Sequence, residues 1–261
     1  MLADQIKEVP FETLERLLAD VQLDPDQGLV GQIYATLWDL IVSVRLRPGC
    51  MISENELGYA LKASKTPVRE ALIRLEYSGL VEIVPKSGTY VTPIRINRYI
   101  EASFVRLQLE IGAVRRAAMR NHDVTNLVQL EAIMTQQATA VASDDYERFF
   151  DLDQKLHETF FTMAGIPGVW ETVKLTQGDV NRIRHLKRIY NIRRGPLVIE
   201  QHRAIVAAIR SGAPDAAEAA IAEHLGSLER EIDELAARPE LLEYIEALNT
   251  NNARMRAVRR A

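Results

Sequence analysis

Apolar positions fall into two regimes along this chain. In the first, helical and strand-like patterns alternate. Val30, Ile33, Leu37, Leu40 and Ile41 form one stripe of a helix over Leu29–Val44. Leu57 and Leu61 mark one side of a short helix that follows Ser53. Ser64 to Pro67 reads as a turn opening a further helix. Ser64 or Thr66 is placed to cap its free N–H groups, and Pro67 suits its first turn. Val68, Ala71, Leu72 and Leu75 bury one face of that helix, Lys65, Arg69 and Arg74 project elsewhere, and Gly79 ends it. Val81–Val84 and Thr89–Val91 are β-prone runs around Pro85-Lys86-Ser87-Gly88, which reads as a hairpin. Helix, turn, helix and hairpin together predict a winged helix-turn-helix with a two-stranded wing, a shape suited to meeting DNA.

In the second regime, from Arg98 onward, only helical spacing remains. Helices are predicted over residues 98–121, 123–143, 145–164, 167–191, 196–211 and 214–236, separated by short runs of Gly, Pro, Asn, Asp and Ser. Six helices with short loops predict an antiparallel bundle. The fold class is therefore mainly α. The predicted organisation is an N-terminal extension (1–27), a winged domain (28–93), a linker (94–97), a bundle (98–236) and a tail (237–261). Phe11, Leu14, Leu17, Leu18 and Val21 predict a short amphipathic helix in the extension. Leu241, Leu242, Ile245 and Leu248 predict one in the tail.

At 261 residues the chain is long enough for two cores, and 47% apolar with 26% charged residues is ordinary for a globular protein. No run is long and apolar enough to span a membrane, and Met1 to Phe11 lacks the layout of a signal peptide. A single cysteine, Cys50, excludes an internal disulfide and suits a reducing cytoplasm. The net charge of −4 argues against a non-specific nucleic-acid binder. From Gly28 to Arg95, however, 8 Lys and Arg face 6 Asp and Glu, so that segment carries +2 and the remainder −6. A local excess suffices, because only charges that meet the phosphates count.

The bundle holds the candidate chemistry. Asp153 and His157 stand at i and i+4 on one helix and point the same way. His202 and His224 lie 22 residues apart on helices expected to be antiparallel neighbours. One carboxylate and three imidazoles make an oxygen–nitrogen site for Zn²⁺, Ni²⁺, Mn²⁺ or Fe²⁺. The competing reading makes each histidine a hydrogen-bonded or surface residue, and spacing alone does not separate the two. A metal with open positions accepts a small carboxylate, and Arg106, Arg182 and Arg184 are candidates to hold its far end. The same donor set also describes a metal-dependent enzyme acting on a small organic acid. No nucleophile motif, phosphate-binding glycine loop or separate general base accompanies it, which weighs against an enzyme. A scaffolding protein would leave both patterns unexplained.

Ser53-Glu54-Asn55-Glu56-Leu57, Ser64-Lys65-Thr66-Pro67-Val68-Arg69-Glu70-Ala71-Leu72, Gly79-Leu80-Val81 and Gly88-Thr89-Tyr90-Val91 resemble the signature of the GntR family of bacterial transcription regulators. The helical segment resembles the FCD domain, the ligand-binding half of one GntR branch. The resemblance implies DNA contacts from Asn55, Lys65, Thr66, Arg69, Ser87 and Gly88. Lys65 departs from the arginine usual there, which implies phosphate or single-point base contact. It also places Asp153, His157, His202 and His224 at the positions of the metal-binding members, and Arg106 and Glu110 on the Arg-x-x-x-Glu of the first FCD helix. His122 and His185 match no such position. The resemblance further implies a homodimer on a pseudopalindromic operator, and the expected function is repression relieved by a small carboxylate effector.

Overall fold

The computed structural model describes residues 12–120, 124–189 and 195–258. Phe11 and His122 lie outside them, as do parts of the predicted breaks after residues 121 and 191 and the end of the predicted tail. Within the extension, α1 is Leu14–Leu18, opened by Thr13, whose hydroxyl accepts the N–H of Arg16 at 3.3 Å. The winged part follows as α2 (Leu29–Val42), β1 (Met51–Ile52), α3 (Glu54–Ala60), α4 (Lys65–Tyr77), β2 (Val81–Val84) and β3 (Gly88–Val91).

Local chemistry explains these boundaries. Ser53 caps α3 by accepting the N–H of Glu56 at 3.3 Å. Ser64 stands at the N-cap of α4 with an extended backbone and no side-chain cap hydrogen bond. Gly79, at φ +69°, turns the chain out of α4. There the N–H of Gly79 bonds the carbonyl of Glu76 at 2.8 Å and that of Leu80 bonds Leu75 at 3.0 Å, a Schellman ending. Ile33, Leu37, Leu57, Leu72, Leu75 and Leu80 are fully buried and form the core of this part.

The sheet has three antiparallel strands in the order β1-β3-β2, one more than the predicted two-stranded wing. The extra strand is too short to show a period of its own. It is set by the turn at Pro48-Gly49, where Gly49 N–H bonds Val91 O at 2.7 Å and Val91 N–H bonds Cys50 O at 2.9 Å. Met51 then pairs with Tyr90 and Ile52 with Thr89.

The remainder is helical: α5 (Ile96–Ala118), α6 (Val124–Ala142), α7 (Tyr146–Met163), α8 (Pro167–Thr176), α9 (Gly178–Ile189), α10 (Gly195–Arg210), α11 (Pro214–Leu225), α12 (Leu228–Ala236) and α13 (Pro239–Val258). Two helices expected to be continuous each divide. The 167–191 pattern breaks at Gln177. Gly178 beside it leaves room for Leu80, whose Cδ2 would lie 2.8 Å from any Cβ added there. The 214–236 pattern breaks at Gly226, which sits at φ +85°. Ser227 then opens α12 by accepting the N–H of Arg230 at 3.2 Å. Both breaks preserve the helical period on either side, so periodicity alone reads through them. The first bundle helix begins at Ile96, two residues before its expected start, and the tail helix is α13, with Leu241, Ile245 and Leu248 buried.

Contacts divide the chain into two compact units that do not follow its linear order. One gathers the described residues of 1–99, 175–191 and 234–261, and the other those of 100–174 and 192–233. Thus α9 and α13 pack in the unit of the winged part. The second unit has its own core, including Leu130, Leu156, Phe160, Phe161, Ile205 and Ile221. Among the described residues, no helix is long and apolar enough to cross a membrane.

Candidate nucleic-acid interface and metal centre

The apolar stripe of α4 buries one face and leaves Lys65, Thr66 and Arg69 exposed. Lys65 and Arg69, four apart, share a face. Asn55 on α3 and Ser87 at the hairpin tip are exposed too. Gly88 has φ +139°, a backbone that favours glycine. One contact was not legible in the sequence. Arg69 donates from Nε to Glu54 Oε1 at 3.2 Å and from Nη2 to Glu54 Oε2 at 2.9 Å. The Glu54 hydrogen bond and charge hold the Arg69 guanidinium above its ordinary pKa.

The four ligand candidates come together in the second unit. α7 supplies Asp153 and His157, α10 supplies His202 and α11 supplies His224. One ligand atom from each lies within 4.8 Å of all the others. Nε2 of His224 is 3.3 Å from Nε2 of His202 and 3.2 Å from Nε2 of His157. Oδ1 of Asp153 is 3.5 Å from His202 Nε2 and 3.9 Å from His157 Nε2. Asp153, His157 and His202 are fully buried, and His224 is partly so.

The other nitrogen of each ring decides what this cluster does. His157 Nδ1 meets Glu110 Oε2 in a very short contact, His202 Nδ1 meets Gln137 Oε1 at 3.0 Å, and His224 Nδ1 meets Gln201 Oε1 at 3.2 Å. All three partners are oxygen acceptors, so each Nδ1 is the donor. In a neutral ring the Nε2 then turns a lone pair toward the cluster. Burial alone would raise the carboxyl pKa of Glu110, but His157 and Arg106 outweigh it and hold the group below its usual range. Glu110 is thus an ionised acceptor. His224 is pushed well below the ordinary histidine pKa, by burial first and then by His202 and His157.

With all three rings neutral, three imidazole lone pairs and a carboxylate face one another. In a buried place that is repulsive unless a cation sits among them. The distances suit one: a tetrahedron of ligands about 2.0–2.1 Å from Zn²⁺ has edges of about 3.3–3.4 Å. The residues present thus fit a divalent metal, with Glu110, Gln137 and Gln201 as the groups that orient the ligands. Of these orienting groups, the family motif contained only Glu110. Gln201 adjoins His202 in sequence, whereas Gln137, on α6, carries no signal.

The three effector candidates separate. Arg106 on α5 is buried, donates from Nε to Glu110 Oε1 at 2.7 Å, and leaves Nη2 with no hydrogen-bond partner among the described residues. Its charge also helps to keep His224 neutral. Arg182 has a different task from the one expected. Fully buried, it pairs with Asp179 and donates to Thr92 O at 2.7 Å, Thr92 Oγ1 at 3.3 Å and Pro93 O at 3.4 Å. Its guanidinium thus braces the segment that follows β3. Arg184 lies on α9 beside it, in the unit of the winged part; of the three arginines, Arg106 alone belongs to the unit of the ligand cluster.

Comparison with known proteins fits both parts of this description. The gntR family of bacterial regulatory proteins matches residues 29–91, and the FCD domain matches residues 101–227. The HTH-type transcriptional repressor RspR of Escherichia coli is 30% identical over 219 residues, covering 84% of this chain and 95% of that protein. This chain belongs to the GntR family, in the branch that carries an FCD domain. A further relative, an uncharacterized HTH-type transcriptional regulator in an unstable DNA locus of Streptomyces ambofaciens, is 34% identical over 211 residues, 80% of this chain and 87% of that one. Among solved structures, E. coli McbR/YncC superposes with a TM-score of 0.69 at 21% identity, covering 81% of this chain and 99% of that chain, a likeness of fold. This GntR member is thus a DNA-binding transcription regulator and not an enzyme.

Proposed function

We propose that this GntR regulator is a homodimeric repressor whose hold on a pseudopalindromic operator is released by a small organic acid bound at a divalent metal ion. The observation that carries this reading is the convergence of three Nε2 atoms and the Asp153 carboxylate within 4.8 Å of one another. Asp153, His157, His202 and His224 would hold Zn²⁺, Ni²⁺, Mn²⁺ or Fe²⁺, and the ion supplies a Lewis-acidic anchor for a carboxylate. Arg106 supplies the second anchor. Its Nε is engaged by Glu110, while buried Nη2 donates to no described residue. A buried cationic donor in that state favours an anion with oxygen acceptors over a neutral ligand. The naming of RspR as a repressor supports the sign of regulation. Asn55, Lys65, Thr66, Arg69, Ser87 and Gly88 make the DNA contacts, and two-fold protein symmetry matches two half-sites.

Effector binding changes DNA affinity only if two states of the protein hold the acid differently. The usual coupling, about 1–3 kcal/mol, corresponds to roughly 5–150-fold weaker operator binding. The test is calorimetry with a panel of carboxylates on metal-loaded protein, followed by operator titration with each binder. A small acid should bind, lower operator affinity, and lose affinity when His202 is replaced by Ala. The reading fails if the tightest ligand is uncharged, or if His202→Ala leaves acid binding unaltered.

A further inference from the structure

We propose that Glu54 is a positioning residue for base readout: it aims the guanidinium of Arg69 and keeps it from phosphates. A guanidinium has two forked edges, one of Nε with Nη2 and one of Nη1 with Nη2. Glu54 occupies the first with two roughly parallel hydrogen bonds, at 3.2 and 2.9 Å. The Arg69 side chain is 63% exposed, and the N–H groups of the second edge match the O6 and N7 acceptors of guanine in the major groove. Glu54 is well placed for this. It is the first residue of α3, anchored by the Ser53 cap, while Arg69 lies on α4. The pair thus ties the aiming group to a different helix from the one that reads the groove.

Lys65 provides the contrast. It stands four residues earlier on the same face of α4, is exposed, and has no ion pair among the described residues. It is free to follow the phosphate backbone. Arg69, with a carboxylate beside it, gains less from a polyanion and loses the rotamer freedom needed to reach one. Glu54 thereby exchanges non-specific attraction for a fixed direction at one base. This rests on the reading of Arg69 as a DNA contact, and nothing in it depends on the metal or the effector.

Selection from a random-sequence DNA library, run in parallel with wild type and Glu54→Gln, tests the proposal. Gln keeps the size of the side chain and removes its charge. The wild type should select a consensus with a strong G·C preference at one position of each half-site. Glu54→Gln should lose about tenfold of that preference while binding unrelated DNA more tightly, with a salt slope steeper by up to about 1. In an Arg69→Ala background the same change should leave the remaining preferences unaltered. Melting curves establish that each variant is folded, and Glu54→Asp, which keeps the charge, serves as a second probe if Glu54→Gln is not: it should weaken the preference without steepening the salt slope. The proposal is overturned if a folded Glu54 variant selects the wild-type consensus with equal strength. It is equally overturned if the loss persists without Arg69, or if the wild type selects no G·C pair that depends on Arg69.

Discussion

Asn55, Lys65, Thr66 and Arg69 stand in solvent on two helices whose other faces are buried, whereas Asp153, His157, His202 and His224 are drawn together inside the second unit from three others. The difference is electrostatic. An exposed lysine or arginine is stabilised by water and can wait for a phosphate or a base. A buried set of lone pairs has no such reservoir, and its stability depends on what occupies it. Substitutions on the first surface should change binding and spare the fold. Substitutions in the second should change metal content and stability together.

Metal removal should therefore have the largest effect. Tag-free protein should contain one divalent ion per subunit by elemental analysis. A ligand present at a thousandfold over its Kd stabilises by about 4 kcal/mol, worth roughly 10 °C of melting temperature in a protein of this size. Chelation should remove that increment, and joint replacement of the four ligands by alanine should abolish metal binding. Unchanged metal content in the quadruple variant would place the ion elsewhere.

The second effect belongs to the exposed surface. Arg69→Ala should weaken specific DNA binding by about tenfold to a hundredfold while melting at the wild-type temperature. A gel-shift titration that finds operator affinity unchanged in the folded variant rules Arg69 out as a base-reading residue. If the variant also melts early, the exposed and buried sites do not differ as argued.

The same contrast decides what a reader of the sequence can see. The winged part is legible because its signals are local: the Ser53 cap, Gly79 at the end of α4 and the glycine of the hairpin all act within a few residues. The four ligand candidates are singled out as a set through their family spacing, since residues 153 and 224 meet by tertiary packing. Gln137 carries no sequence signal because orienting His202 requires only an acceptor at the right place on α6. Arg182 misleads for a related reason. Its sequence neighbourhood says arginine on a bundle helix, while the Gln177–Gly178 break puts α9 in the unit of the winged part and its guanidinium against Thr92. Glu54 is visible as a residue of the family signature, yet its grip on Arg69 needs two helices at a particular angle.

A smaller effect follows inside the buried site. Glu110 accepts from His157 and from Arg106 at once, so Glu110→Gln keeps its shape and removes the charge that holds the His157 ring. Loss of such an orienting partner costs about 10–100-fold in metal affinity. Competition with a chromogenic chelator measures it, and an unaltered affinity would show that the ring is held by packing alone. The variant should retain wild-type DNA affinity at saturating metal.

The smallest effect lies in the unit of the winged part. His185 on α9 is pushed down to about 4, by burial first and by the nearby Arg184 second. The unfolded chain takes up this proton near pH 6.5, while the native protein stays neutral until about pH 4. Between those values the unfolded state binds more protons. Stability therefore falls as pH falls through that window and levels off below it. From pH 7 to pH 5.5 the loss should be about 1 kcal/mol. Other groups of the protein also titrate in acid, so the wild-type slope alone does not isolate His185. Comparison with His185→Gln, which carries no titratable group, cancels their contribution. Urea unfolding at several pH values should show a wild-type curve steeper than that of the variant, with the difference confined to pH 4–6.5. Parallel curves would mean that His185 reaches solvent and takes its proton in the native state.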